Sequence, residues 1–169
     1  MNNTTKILVN EHKDILKVAE KLILKADEAE NEKIDEKFFI RAIDFIRNYA
    51  DKFHHAKEED ILFKELCRDT VHLHCNPVEQ MLTEHDLGRN FVKGIEQGTK
   101  EKNPEKIAEN ARNYASLIQE HIYKEDNILY PMADETLSKD AQISMFKKFQ
   151  EVEKKSNVKK YKDFVKGLK

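Results

Sequence analysis

The pattern that most constrains the fold of this 169-residue chain occurs twice, 67 residues apart (121 minus 54). Residues 54–63 and 121–130 carry His, Lys, Glu, Ile and Leu at matching positions, and each stretch ends on an aromatic residue. In both copies a glutamate follows the histidine by four residues, which places the two side chains on one helical face, one turn apart. A fold that satisfies both copies must therefore be helical there and must accommodate two equivalent polar pairs.

A weaker echo precedes each copy. Glu11-His12 comes before the first copy and Glu84-His85 before the second. In both places two consecutive apolar residues and one polar residue precede the glutamate. We interpret the chain as an internal duplication. Each half contains a Glu-His pair followed by a His-x-x-x-Glu pair.

Apolar residues recur at spacings of three and four along five segments, which is typical of amphipathic helices. Asn76 and Asn103 each precede a proline, and Ser138 precedes the last segment, so these three residues are predicted to cap helices. Pro131 is predicted to end the fourth helix, because proline lacks a backbone N–H and disfavours helical geometry in the residue before it. The predicted helices span residues 7–24, about 35–66, 77–97, 104–130 and 138–154, and a lysine-rich tail follows.

The composition agrees with helices whose outer faces are solvated. The chain contains only 4 Gly, 3 Pro and no Trp, and 37% of its residues are charged. Short connections between the first four predicted helices favour antiparallel neighbours. We predict an all-α fold, an up-down-up-down four-helix bundle with an additional short C-terminal helix. Residues 1–169 are predicted to form a single domain, with the core bundle at about 5–132 and the C-terminal helix and tail at 138–169.

Charge and cysteine content argue against several classes of function. Lys plus Arg number 30 and Asp plus Glu 32, for a formal net charge of -2, so there is no basic footprint for nucleic acid. No run of about 18 apolar residues could span a membrane, and the polar N-terminus lacks the features of a secretory signal. Two cysteines are too few for a disulfide scaffold. We expect a cytoplasmic protein with neither nucleic acid nor membrane as a partner.

The doubled pattern is chemically suited to a metal site. A single His-x-x-x-Glu pair on a charged helix is usually a surface ion pair, but two copies in matched register are harder to explain in that way. Burying these groups without a metal would leave polar atoms unpaired at considerable cost. Four antiparallel helices could direct four imidazoles and two carboxylates to the bundle axis, where the carboxylates could bridge two ions. The predicted metal ligands are His12, His54, Glu58, His85, His121 and Glu125.

The register of the second helix needs a decision, because His55 and Glu59 have the same spacing one residue later. That pair lies about 100° further around the helix. The duplication places Ile122 opposite His55, and isoleucine cannot bind a metal. The sequence therefore favours His54 and Glu58 as the ligands and places His55 outside the set that contacts the metal.

These residues resemble the hemerythrin-like, or HHE cation-binding, domain family over about residues 5–132. The segments that carry the resemblance are Asn10-Glu11-His12, 53–63, Glu84-His85 and His121-x-x-x-Glu125. The resemblance implies a non-haem centre with two iron ions (Fe2+/Fe3+) that share an oxo or hydroxo bridge. It implies one iron on His12 and His54, the other on His85 and His121, and bridges from Glu58 and Glu125. The ligand types by themselves would also accept manganese or zinc.

One departure bears on the function that the resemblance implies. Oxygen-carrying hemerythrins have a second histidine one turn after the third-helix ligand, and this chain has Arg89 there. Simple oxygen carriage is therefore not expected. We expect a protein that binds dioxygen, nitric oxide or peroxide for sensing, scavenging or a stress response. The alternative is a redox enzyme, or a protein that donates iron to repair damaged iron centres, with an electron donor as its partner.

Several residues outside the ligand set have open roles. Tyr114 lies on the same face as His121 and is a candidate for hydrogen bonding to a bound small molecule, and Gly88 could leave room for one. Glu11 and Glu84 either face solvent or act indirectly on the site. Cys67, His72, His74 and Cys75 lie close together in the sequence. They could form a second metal or redox site, for which zinc would be suited, or be an incidental cluster.

Overall fold

The computed structural model describes residues 3–31, 33–68 and 77–168, and within those ranges the chain is helical throughout apart from short connections. The six helices there are α1 (Asn3–Asn31), α2 (Glu36–Leu66), α3 (Val78–Glu101), α4 (Pro104–Thr136), α5 (Lys139–Lys155) and α6 (Val158–Lys166). Helix α2 contains π-helical segments at Ile46–His55 and Glu58–Leu62, and α4 contains one at Glu125–Leu129. The all-helical prediction is confirmed.

Two of the predicted caps are present. The Asn103 side chain accepts a hydrogen bond from the backbone N–H of Lys106 at 2.9 Å, and Ser138 accepts one from Ala141 at 3.2 Å. Each bond satisfies a backbone donor that a helix start leaves without an intrahelical partner. The third predicted cap, Asn76, lies outside the described residues.

The prediction that Pro131 ends the fourth helix is wrong, because α4 continues to Thr136. The turn before the proline is π-helical, and the N–H of Tyr130 bonds to the carbonyl of Glu125, five residues earlier. A π turn is wider than an α turn, so the ring of a proline has more room inside it. The helix therefore passes through a residue that normally ends one.

The lysine-rich tail also differs from the prediction, because it contains a further helix, α6. This helix buries Phe164 and Val165 against the bundle. The Phe164 ring lies 5.9 Å from the ring of Phe45 and 6.4 Å from that of Phe38. Val158, Tyr161, Phe164 and Val165 recur at helical spacing among the lysines, so the sequence did carry a signal for this helix.

The helices pack as a bundle in which α4 lies along both α1 and α3, and α2 contacts α1 and α3. Its interior has two apolar clusters. On α1, Leu8 belongs to one cluster and Ile15 to the other, and the buried His12 lies between them. The other long helices repeat this order, so the buried histidines and glutamates form one polar layer between two apolar ones. Among the described helices, none is long and apolar enough to cross a bilayer.

Alanine substitutions at two glycines of α3 are predicted to have opposite effects on stability. An added methyl group at Gly98 would lie 3.0 Å from the backbone nitrogen of Ile107 in α4, whereas one at Gly88 would meet Tyr114 at an ordinary 3.7 Å. Gly98→Ala should therefore lower the free energy of unfolding by about 1 kcal/mol or more, because backbone cannot yield easily. Gly88→Ala should raise it by about 0.5–1 kcal/mol through helix propensity. Urea unfolding of both variants measures the difference, and equal effects would contradict the close approach of α3 and α4.

Candidate metal centre

The structure brings all six predicted ligands together in the polar layer. They come from the four long helices, and each is at most 2% exposed. His12 lies on α1, His54 and Glu58 on α2, His85 on α3, and His121 and Glu125 on α4.

The four imidazoles face one another in two pairs. The Nε2 atoms of His12 and His54 are 3.0 Å apart, and we call these residues the first imidazole pair. The Nε2 atoms of His85 and His121 are 3.1 Å apart and form the second imidazole pair. All four side chains therefore direct the same nitrogen towards the centre of the bundle.

Each carboxylate lies between the two pairs. The two oxygens of Glu125 are 3.3 Å from His12 Nε2 and 3.2 Å from His121 Nε2, so this carboxylate spans both pairs. One oxygen of Glu58 is 3.6 Å from the Nε2 atoms of both His54 and His85. Among the described residues, neither oxygen of Glu125 nor Oε2 of Glu58 has a hydrogen-bond partner. Buried carboxylate oxygens without a donor are costly unless a cation compensates them.

The outer nitrogens of the first imidazole pair are each held by a carboxylate. Nδ1 of His12 lies 2.8 Å from Asp126, and Nδ1 of His54 lies 2.9 Å from Glu11. An ionised carboxylate can only accept a hydrogen bond, so each Nδ1 carries the proton and donates it. Each Nε2 is then left with a bare lone pair directed inwards, as a metal ligand requires.

The second imidazole pair repeats this arrangement. Nδ1 of His85 lies 2.7 Å from Glu59, and Nδ1 of His121 lies 2.8 Å from Glu84. Two lone pairs that face each other at about 3 Å repel unless a cation lies between them. The donor set of nitrogen and carboxylate oxygen therefore fits a metal cation.

The pKa values of the first pair show how these side chains behave by themselves. Burial lowers the pKa of His12, but the hydrogen bond to Asp126 and the neighbouring Glu125 carboxylate outweigh burial and raise it to about 9. Burial and the charge on His12 hold the pKa of His54 well below its usual range. The two pKa values thus shift in opposite directions, because a positive charge on His12 disfavours a second one on His54.

The pKa values of the two carboxylates also shift in opposite directions. Burial and the neighbouring Glu125 raise the pKa of Glu58 well above its usual value. Although burial would raise it too, the pKa of Glu125 is held well below its usual value by His121 and His12. Two carboxylates this close cannot both be ionised cheaply without added positive charge.

The π turns fall at equivalent places in the duplication. The N–H of Phe63 bonds to the carbonyl of Glu58, and the N–H of Tyr130 bonds to that of Glu125, both across five residues. Each of these two π segments begins at one of the two predicted bridging glutamates, whereas the third, Ile46–His55, has no π counterpart in α4. Such turns are rare and occur often at functional sites. The duplication therefore extends from residue types to backbone geometry.

Glu11 and Glu84 have the indirect role that the sequence left open, and neither faces solvent. Each orients one ligand histidine, and each also accepts a hydrogen bond from a lysine, Lys57 or Lys124. The two lysines occupy matching positions of the duplication, as do Glu59 and Asp126. Sequence reasoning missed these four residues, although the repeat itself carried the signal.

The two halves differ in what lies beside the ligands. The Tyr130 hydroxyl donates to Glu58 and lies 3.3 Å from His12 Nε2, whereas its counterpart Phe63 only stacks against His85. Lys57 is fully buried, with Nζ 3.7 Å from the ring centroid of Phe53 and 5.6 Å from that of Phe149 of α5. Helix α5 therefore covers the first imidazole pair.

The second imidazole pair is the more open one. The Lys124 side chain, the counterpart of Lys57, is 27% exposed. A cavity of about 350 Å³ lies beside this pair, and its lining includes His85, His121, Arg89 and Tyr114. A small molecule can therefore approach these two histidines from the cavity.

His55 is buried beside the second pair. Its ring stacks on His85 with the centroids 3.7 Å apart and the planes within 8°. Nitrogens of His55, His85 and His121 lie within 4.8 Å of one another, as do donor atoms of the other four predicted ligands. Parallel stacked rings direct their lone pairs side by side and do not converge on one ion. This geometry favours a packing role for His55.

Arg89 holds the carboxylate that orients His85. Its guanidinium lies 2.7 Å from Asp51, 2.7 Å from Glu59 and 2.8 Å from Asp86. Hydrogen bonds from His85 and Arg89 lower the pKa of Glu59 to about 2, against the effect of burial. Arg89, which stands where oxygen-carrying hemerythrins have a histidine, thus acts on the site through Glu59.

The proposed second cluster is only partly within the described residues. Cys67 is exposed and free of any disulfide. His72, His74 and Cys75 lie outside the described residues. The choice between a second site and an incidental cluster stays a prediction.

A family model for the hemerythrin HHE cation-binding domain matches residues 3–133. This chain belongs to that family. The match spans α1–α3 and most of α4, including all six predicted ligands, and it ends before α5 and α6. Comparison with curated proteins found no match, and comparison with solved structures found none. Membership implies that the domain binds a metal cation, and the buried histidine and glutamate clusters could hold one.

The carboxylates behind the histidines should matter for metal affinity. Asp126→Ala removes the acceptor that holds Nδ1 of His12, so we expect metal affinity to fall roughly 10- to 100-fold. Asp60→Ala is the matched control, because Asp60 is 66% exposed and pairs with the exposed Lys64. Competition with a chelator measures both affinities. Equal affinities in the two variants would contradict the role given to Asp126.

Proposed function

We propose that this chain is a non-haem di-iron protein that binds dioxygen, nitric oxide or peroxide for sensing, scavenging or a stress response. The observation that carries the proposal is the convergence of four inward Nε2 atoms on two buried carboxylates. Each carboxylate approaches one histidine of each imidazole pair. That arrangement is suited to two ions bridged by both carboxylates.

In the proposed site the first imidazole pair holds one iron and the second pair holds the other. Glu58 and Glu125 bridge the two ions, and solvent supplies an oxo or hydroxo bridge. When bound, the two irons would supply reversible redox chemistry and an open position for a small ligand. Manganese and zinc would fit the same donor types.

The helices that supply the ligands are proposed to run up-down-up-down. Contacts between distant residues support antiparallel neighbours. Thr5 bonds to Asp134, so the start of α1 lies beside the end of α4. Arg112 bonds to Asp27, so the end of α1 lies beside the first part of α4. An antiparallel bundle brings the two halves of the duplication to the same level along the axis.

The ligand is proposed to reach the second imidazole pair. Helix α5 and Tyr130 cover the first pair, whereas the cavity leads to His85 and His121. Arg89 is drawn towards three carboxylates and leaves unfilled the position that a histidine would occupy in oxygen carriers. This arrangement supports exchange of a ligand at one side of the centre.

The alternative, a redox enzyme or an iron-donating repair protein, is favoured by the size of the cavity. About 350 Å³ is much more than a diatomic molecule needs, since one water takes up about 30 Å³ of the liquid. An enzyme would need an electron donor as a partner. Peroxide consumption by the reduced protein, compared with the same amount of free iron, separates enzyme from binding protein. Rates no faster than free iron would exclude the peroxidase form of this alternative.

Metal content is the most direct test of the proposed centre. We expect about two irons per chain after reconstitution. Glu58→Ala and Glu125→Ala should each lower the iron content, because each removes a proposed bridge. His55→Ala should leave it nearly unchanged. Elemental analysis of the purified variants measures all three, and an equal loss in His55→Ala would make His55 a ligand.

Ligand binding tests the second part of the proposal. Nitric oxide added to the reduced protein should change the visible absorption spectrum, with saturation at a fixed ratio to iron. Arg89→Ala should keep the iron content within about twofold and alter ligand affinity, because Arg89 contacts the carboxylate that orients His85. An iron-loaded protein without any spectral response would contradict the assignment to this ligand class.

A further inference from the structure

The cavity beside the second imidazole pair has the size of a site for an organic molecule. Ligand pockets in proteins typically measure roughly 300–1,000 Å³, and this cavity measures about 350 Å³. The space exists for two local reasons. Gly88 has no side chain to fill it, and Arg89 is drawn aside by Asp51, Glu59 and Asp86.

Part of the lining is aliphatic. Ile46, Val92, Leu117 and Ile118 come from three helices and line one continuous cavity. Such a surface stabilises a bound apolar group by roughly 25 cal/mol for each Å² removed from water. Dioxygen, nitric oxide and peroxide are too small to cover more than a small part of it.

Tyr114 gives the cavity an unused hydrogen-bond donor. The residue is 3% exposed, and among the described residues its hydroxyl has no hydrogen-bond partner. Buried hydroxyls are nearly always paired, so an unpaired one needs an explanation. A ligand oxygen in the cavity would accept the bond that the protein does not provide.

The charge of the lining favours an anion. Four cationic side chains line the cavity against two carboxylates. Arg47 and Arg89 are paired with acidic residues. Lys52 and Lys93 are exposed and have no carboxylate partner in the described part of the chain. Their charge would attract an anion to the mouth of the cavity.

We propose that this cavity binds a small organic carboxylate with an apolar body. Its carboxylate accepts a hydrogen bond from Tyr114, and its hydrocarbon part packs on the aliphatic lining. The cavity leads to His85 and His121, so this proposal names a ligand class for that side of the metal centre. In that respect it rests on the proposed function. The protein thus recognises a molecule larger than the diatomic ligand of the metal centre.

The test uses hexanoate as the probe, with acetate for comparison, and isothermal titration of the full iron-loaded chain. Hexanoate should bind more tightly than acetate by tenfold or more, because only hexanoate has an apolar body. Tyr114→Phe should weaken hexanoate binding roughly tenfold with no loss of iron or of folding stability, because the hydroxyl has no partner within the protein. Gly88→Leu should abolish binding by filling the cavity.

Charge has its own matched pair of variants. Lys52→Ala should weaken hexanoate binding several-fold, whereas Lys64→Ala should not, because Lys64 is exposed on the same helix but lies away from the cavity. A Tyr114→Phe variant that unfolds more easily would make Tyr114 structural and overturn its role in binding.

The remaining outcomes separate this inference from the proposed function. Equal binding of hexanoate and acetate, unchanged in Tyr114→Phe, would mean that carboxylates simply coordinate the metal and would overturn the inference. A protein with two irons and no affinity for hexanoate would also overturn it, yet leave the di-iron proposal standing. A chain that takes up no iron but binds hexanoate through Tyr114 would support the cavity and reject the metal centre.

Discussion

The structure depends on burying four imidazoles and two carboxylates in one layer between two apolar clusters. Such a layer is tolerable only if every polar atom in it is compensated. The outer nitrogens are compensated by Asp126, Glu11, Glu59 and Glu84. Apart from the contacts of the Tyr130 hydroxyl with Glu58 and His12, the inner nitrogens and carboxylate oxygens of these six residues face one another, and a cation would compensate them. Folding and metal binding are therefore expected to be coupled in this protein.

The duplication supplies two nearly identical sets of polar residues to the layer, and the surroundings make the two sets different. Lys57 and Lys124 have the same role towards Glu11 and Glu84, but only Lys57 is covered, by Phe149 of α5. Tyr130 contacts Glu58 through its hydroxyl, and Phe63 has none to offer. Two halves with matching predicted ligands thus become one covered half and one open half. The matched family model stops before α5, so this asymmetry comes partly from outside the shared domain.

Much of the fold could be predicted because it follows from local rules. Helical periodicity located the long helices, and caps at Asn103 and Ser138 marked two helix starts. The passage of α4 through Pro131 could not be predicted, because the π turn that accommodates it depends on packing around Glu125. Helix α6 was missed although Val158, Tyr161, Phe164 and Val165 recur at helical spacing, because the segment is short and rich in lysine.

The sequence by itself determined the helical class, the polar pairs that meet in the core and the choice of His54 over His55 as the expected ligand. The helical class and the polar pairs follow from spacing along one helix, which is a local property, and the choice of His54 follows from the duplication, which aligns His55 with Ile122. Only the tertiary structure decided which carboxylate holds which histidine, that His55 stacks on His85, and that a cavity opens beside Tyr114. Those features depend on contacts between helices far apart in sequence, and no periodicity within a helix encodes the distance between two of them.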